Sequence, residues 1–214
     1  MESLHAKAPR RRSQRGSLAI EFALVMLVVV PLFFGTVVMG ITIGRAEEAT
    51  QVTRDVGHMY SEGIDFTTTA AQNLAAKLAT GFDLTAGTGD TAMIFSQIST
   101  LFAADCTAAS VNPCTNDGQG VIKQRVSFGN TSLLTSAFGT PTSTFEDPEG
   151  NISAANYMQQ SSCVATGWTS IITQNDNDVA YVLEAYYKMP DLSFLSSGYS
   201  AKSASGGFYA RTIY

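Results

Sequence analysis

A single acid, Glu21, stands near the head of an otherwise apolar run, SLAIEFALVMLVVVPLFFGTVVMGITIG, which spans residues 17–44 and ends at Arg45. A carboxylate at mid-bilayer depth costs at least ~2.5–3.5 kcal/mol on insertion scales, so such an acid either finds a cation or snorkels to the nearer face. The chemistry offered is charge pairing rather than catalysis. Three cysteines offer a disulfide where the compartment is oxidising. Cys106 and Cys114 flank a turn-like segment with Asn112-Pro113 and form the favoured pair, leaving Cys163, while the two other pairings stay open. Asp55, His58 and Glu62 share a helix face that reads as solvated rather than metal-binding. The oxygen-rich Gln174–Asp178 fits a calcium loop or, more simply, a polar turn before a strand. The chain has no HExxH, GxSxG, GxxxxGK[ST] or CxxC. His5 and His58 are its only histidines, and they support no triad. The expectation is therefore a non-enzyme with no catalytic residue, no cofactor and no metal.

The element that positions Glu21 follows from length. Phe22–Ile43 is 22 uncharged residues, and at ~1.5 Å per residue it covers roughly the ~30 Å of a hydrocarbon core. The run is too long for a secretory h-region, which is about 7–15 residues. Pro31 can kink it, and Gly40 and Gly44 have the GxxxG spacing that lets two membrane helices pack closely. Charge is distributed unevenly along the chain. Lys7, Arg10, Arg11, Arg12 and Arg15 against Glu2 give the first sixteen residues +4, within a total of −5 for 214 residues. The remaining −9 argues against nucleic acid as a partner. Positive flanks stay in the cytoplasm, so the expected topology is single-pass, with the N-terminus inside and the region from residue 45 onward extracytoplasmic.

Arg15-Gly16-Ser17-Leu18-Ala19-Ile20-Glu21-Phe22 resembles the processing site of type IV prepilins, and most closely the TadE-like pseudopilins of the Tad (Flp) branch. The resemblance is strongest over residues 12–62. It implies cleavage by a prepilin peptidase between Gly16 and Ser17, on the cytoplasmic side of a bacterial inner membrane. It also implies that Glu21 and Phe22 act in recognition and assembly with other pilins or pseudopilins and the assembly platform. The new α-amine of Ser17 would lie four residues from Glu21, on the same helix face. The first mature residue is Ser, where better-known pilins carry a methylated aromatic. Removing sixteen residues leaves 198, far more than the very short major Flp pilin, so the implied role is a minor pseudopilin in assembly or priming. The alternative is an uncleaved, single-pass anchored interaction or sensor domain. The expected organisation is a basic leader over 1–16, a membrane helix over 17–44 and a pilin-like domain over 45–214.

Beyond the apolar run, Ala49, Val52, Val56, Met59 and Tyr60 keep helical spacing opposite Glu47, Gln51, Arg54, Asp55, His58 and Glu62. One helix over 18–62 is expected, half in lipid and half packed on a head. A second helix is expected over 68–80, capped by Asp65 or Thr67, with Ala71, Leu74, Ala75, Leu78 and Phe82 inward and Gly81 at its end. Strands are expected at 92–102, 121–129, 178–188 (stopped by Pro190) and 208–214. The fold class is then α+β, with a small antiparallel sheet. Residues 130–177 read as a long irregular segment and a candidate partner surface, anchored by Trp168 with Ile171 and Ile172. Asn130 and Asn151 begin N-glycosylation patterns that carry weight only in a eukaryotic secretory setting.

Overall fold

A computed structural model describes residues 14–175, 178–188 and 206–214. The arginine cluster at 10–12, Asp176, Asn177 and Pro190 lie outside the described residues. Helix α1 covers Gln14–Ser61, passes through Pro31, and is followed by α2 over Thr69–Leu78. It begins four residues earlier than the pattern predicts, since one glycine costs a helix only ~1 kcal/mol. Strands β1 (Thr91–Thr100), β2 (Gly120–Gly129), β3 (Ala180–Lys188) and β4 (Gly207–Ile213) form one antiparallel sheet in the order β2-β1-β3-β4. The class is α+β, as the sequence pattern indicates. The chain divides into two units between Gly44 and Arg45.

In the second unit, α1 from Arg45 onward presents Ala49, Val52, Val56 and Tyr60 to one face of the sheet, against Met93, Phe95, Leu183, Ala185 and Tyr187. Thr53, fully buried on the same stripe, lies within hydrogen-bond distance of the Tyr187 hydroxyl at 3.0 Å. Tyr60 makes edge contacts with Phe66, Phe95 and Tyr181 and donates to Gln124 Oε1 at 3.0 Å. One extra residue of β2 opposite Gln97–Ile98 shifts the register. That bulge restores the inward alternation of Gln124, Val126 and Phe128.

Two details of α2 differ from the sequence expectation. Its N-cap is Thr68, whose hydroxyl accepts from the Ala71 N–H at 3.3 Å, whereas Asp65 caps the preceding turn through Thr67. Ala71, Ala75 and Ala79 are the buried stripe, while Leu74 and Leu78 face outward at 44% and 39% exposure. Both stripes satisfy helical spacing. The alanines win because small side chains let α2 lie close to its neighbours.

The opposite face of the sheet is covered by the segment after β2. Phe138, Ile152, Cys163, Ala165 and Trp168 pack on Ile98, Ile122, Ala180 and Val182. The segment contains a short helix over Ala154–Gln159 and several 3-10 turns. Its backbone docks on the edge of β2: Arg125 N–H donates to Gly150 O at 2.8 Å, Ile152 N–H to Lys123 O at 2.8 Å and Ala165 N–H to Gly120 O at 2.7 Å. Gly150 has φ +75° and sits against the Arg125 carbonyl, where a side chain would collide. Trp168 is fully buried over Gly120, whose missing Cβ leaves room for the indole, and Trp168 Nε1 donates to Gln174 Oε1 at 2.8 Å. Ile172 packs on this cluster, but Ile171 is exposed, a correction to the expected anchor.

Trp168→Ala is expected to destabilise the protein by ~3–5 kcal/mol, and Gly120→Ala, by overpacking, by ~1–3 kcal/mol. Denaturant titration in detergent micelles followed by circular dichroism measures both. Burial pushes the Tyr187 hydroxyl up to about 12 from 10. Its folded pKa is the higher one, so its contribution is complete below pH ~10 and is lost as pH rises towards ~12. A pH titration of thermal stability should show that alkaline decline, weakened in Tyr187→Phe.

Candidate processing and assembly site

The first unit presents the sequence-derived site along α1. Gly16 and Ser17 lie in its first turn, so the Gly16–Ser17 peptide bond is helical. The first four N–H groups of a helix lack intrahelical acceptors, so this turn is less firmly held than the middle of α1. Glu21 follows one turn later, ~6 Å further along the axis and on the same face as Ser17. Glu21 is exposed, and Phe22 is 62% exposed.

The most apolar stretch of α1 has none of its residues buried, and Leu24, Leu27, Leu32 and Phe33 all exceed 60% exposure. Within it the hydroxyls turn back onto the helix: Thr36 Oγ1 donates to Phe33 O at 2.8 Å and Thr42 Oγ1 to Val38 O at 2.9 Å. Polar groups satisfied in this way can lie in hydrocarbon. Among the described residues, α1 is the one helix long and apolar enough to cross a membrane. At Gly40 and Gly44 an added Cβ would meet nothing within 4 Å. Their backbone is open to a neighbouring helix, as GxxxG packing requires.

The cysteine pair belongs to the second unit and forms a separate site. Cys106 and Cys114 are disulfide-bonded, with Cα atoms 5.8 Å apart, while Cys163 is a buried free thiol. The short helix α3 (Ala103–Ala108) carries Cys106 and is closed at its start by Asp105, which accepts from the Phe102 N–H at 2.9 Å. The other polar sets have structural partners. Gln174, read above as a candidate calcium ligand, is buried and also donates to Ile98 O at 3.2 Å. His58 pairs with exposed Glu62 at 3.4 Å. Asn130 is buried and donates to Gly89 O at 2.8 Å. No cluster of three or more His, Cys, Asp or Glu suited to a metal occurs among the described residues.

The sequence reading missed a buried polar cluster around Glu184 of β3 and Arg125 of β2. The Glu184 carboxylate is fully buried and accepts from Ser136 Oγ, from the Ala137 N–H at 2.8 Å and from Tyr209 Oη at 2.7 Å. Arg125, also buried, donates to Gly139 O at 3.0 Å. Desolvation lowers its pKa, opposed by the charges of Glu184 and Glu146. Burial and the Glu184 hydrogen bond both raise the Tyr209 pKa. Together these groups hold the 136–139 turn on the sheet. The available signal was an acid at an even position between Val182 and Tyr186, inside an otherwise apolar strand.

Residues 16–58 match the family model described as TadE-like protein, and the matched span lies wholly within α1. No curated protein matches the chain, and no solved structure does. The N-terminal helix is thus TadE-like in sequence, while the head beyond it has no matched counterpart.

Replacing both Cys106 and Cys114 by Ser should cost ~2–3 kcal/mol, the loop-closure value for so short a ring. Urea titrations with and without reductant would measure it. Native alkylation should leave Cys163 unmodified until denaturant is added.

Proposed function

We propose that this chain is a minor pseudopilin of a tight-adherence (Tad/Flp) pilus, cut between Gly16 and Ser17 and acting in pilus assembly or priming. The observation that carries this reading is the start of the TadE-like match at Gly16, with Glu21 one helical turn beyond Ser17 and an apolar helix with no buried residue behind it. Cleavage would remove a leader of charge +4 and leave a cationic α-amine on Ser17. Glu21 can pair with that amine in its own subunit or a neighbour's, where low dielectric strengthens the attraction. A neighbour's amine would set the axial register of an incoming subunit. Before incorporation the protein would sit in the inner membrane, N-terminus in the cytoplasm and head outside, as the charge asymmetry favours. Its partners would be the prepilin peptidase, other pilins or pseudopilins, the assembly platform and membrane lipid. No catalytic role is assigned to it.

Mass spectrometry of the protein from its host membrane should find Ser17 as the first residue. An intact leader would instead favour an uncleaved anchored interaction domain. Glu21→Ala should still yield a Ser17 terminus but reduce surface piliation. Unchanged piliation in that variant would refute the proposed pairing.

A further inference from the structure

Arg45 ties α2 to the point where the apolar run ends. It is the first charged residue after Glu21 and is one peptide bond beyond Gly44. Consecutive Cα atoms are ~3.8 Å apart, so chain connectivity alone places Arg45 at the boundary of a bilayer spanned by the run. Its Nη1 donates to Gly81 O at 2.8 Å, and its guanidinium lies 5.4 Å from the Phe82 ring centroid. The turn after α2 therefore shares that boundary. Just before this turn, on the solvent side of α2, stand Leu78 and, one turn earlier, Leu74, with exposed Lys77 beside Leu78. These leucines lie opposite the buried alanine stripe, on the side of α2 that the protein leaves open, and leucines so placed suit a lipid interface.

We propose that the last turn of α2 and the Gly81 turn rest on the bilayer surface, with Leu78 as the apolar contact and Lys77 reaching the lipid phosphates. The inference rests on the membrane reading of α1. The distances agree with it. The polar layer of a bilayer is roughly 5–7 Å deep on each side, and interfacial helices enter ~5–10 Å into the headgroup boundary. Leu78 lies three residues from Gly81, close enough to share that layer with the turn, whereas Leu74 is ~6 Å further from the turn along the helix. Arg45 and Lys77 stand against exposed Glu47 and partly exposed Glu48, so the contact is apolar in origin and does not depend on anionic lipid. It provides a second attachment to lipid, separate from the span.

The test uses the full chain in phosphatidylcholine vesicles whose acyl chains are brominated near the headgroup. A fluorophore is attached through Leu78→Cys, Leu74→Cys, Val37→Cys or Glu62→Cys, one at a time, with the parent chain as the background for Cys163. Emission should be lost at positions 37 and 78, be weakened less at 74 and be kept at 62. The same loss at 78 in vesicles with added phosphatidylglycerol would support an apolar contact. Quenching at 37 with full emission at 78 would overturn the inference while sparing the membrane reading. Full emission at 37 would overturn both.

Discussion

One helix has to satisfy two surroundings, and the rest of the molecule follows from that demand. From Phe22 to Gly44 α1 carries no charged residue and buries none of its side chains, a state water does not support and hydrocarbon does. From Arg45 the same helix becomes one-sided: Ala49, Val52, Thr53, Val56 and Tyr60 form a single buried stripe, and the charged residues take the other face. The sheet, α2 and the aromatic cluster around Tyr60 are arranged to cover that stripe.

The sheet needs a second cover on its far side. Segment 130–175 supplies it without long helices or strands, docking its backbone on the edge of β2 and seating Trp168 over Gly120. Burying Glu184 and Arg125 under this layer would be costly if their polar atoms lacked partners. Ser136, Ala137, Tyr209 and Gly139 meet most of that requirement, while Arg125 Nε has no hydrogen-bond partner among the described residues. The outcome is directional: the turn at 136–139 fits the sheet in one register, a constraint that apolar packing alone would not impose.

What could be read from the sequence depended on period and length. The apolar run, the amphipathic continuation to Tyr60 and the strands each repeat long enough for burial to leave a pattern, so their type and approximate bounds were legible. The six-residue helices at Ala103–Ala108 and Ala154–Gln159 complete fewer than two turns and leave no periodic trace. In α2, two stripes met the same spacing rule, and packing distance rather than hydrophobicity chose between them. Segment 130–177 read as loop because its contacts are long-range, from Trp168 to Gly120 and from Ser136 to Glu184, and local composition does not encode them. The disulfide was within reach because its cysteines are close in sequence. The chemistry of Gly16, Ser17 and Glu21 was legible in residue type and spacing, since a helix converts a separation of four directly into a shared face.

The cysteine arrangement has a consequence for the order of events in synthesis. Cys106 and Cys114 are eight residues apart, and Cys163 follows 49 residues after the second of them. Because synthesis runs from the N-terminus, the near pair is complete and can meet while the third thiol is still to come. When Cys163 does arrive, it folds beneath the layer that covers the sheet, away from solvent and exchange partners. Chain order thus favours the near pair, and burial of the third thiol removes it from competition.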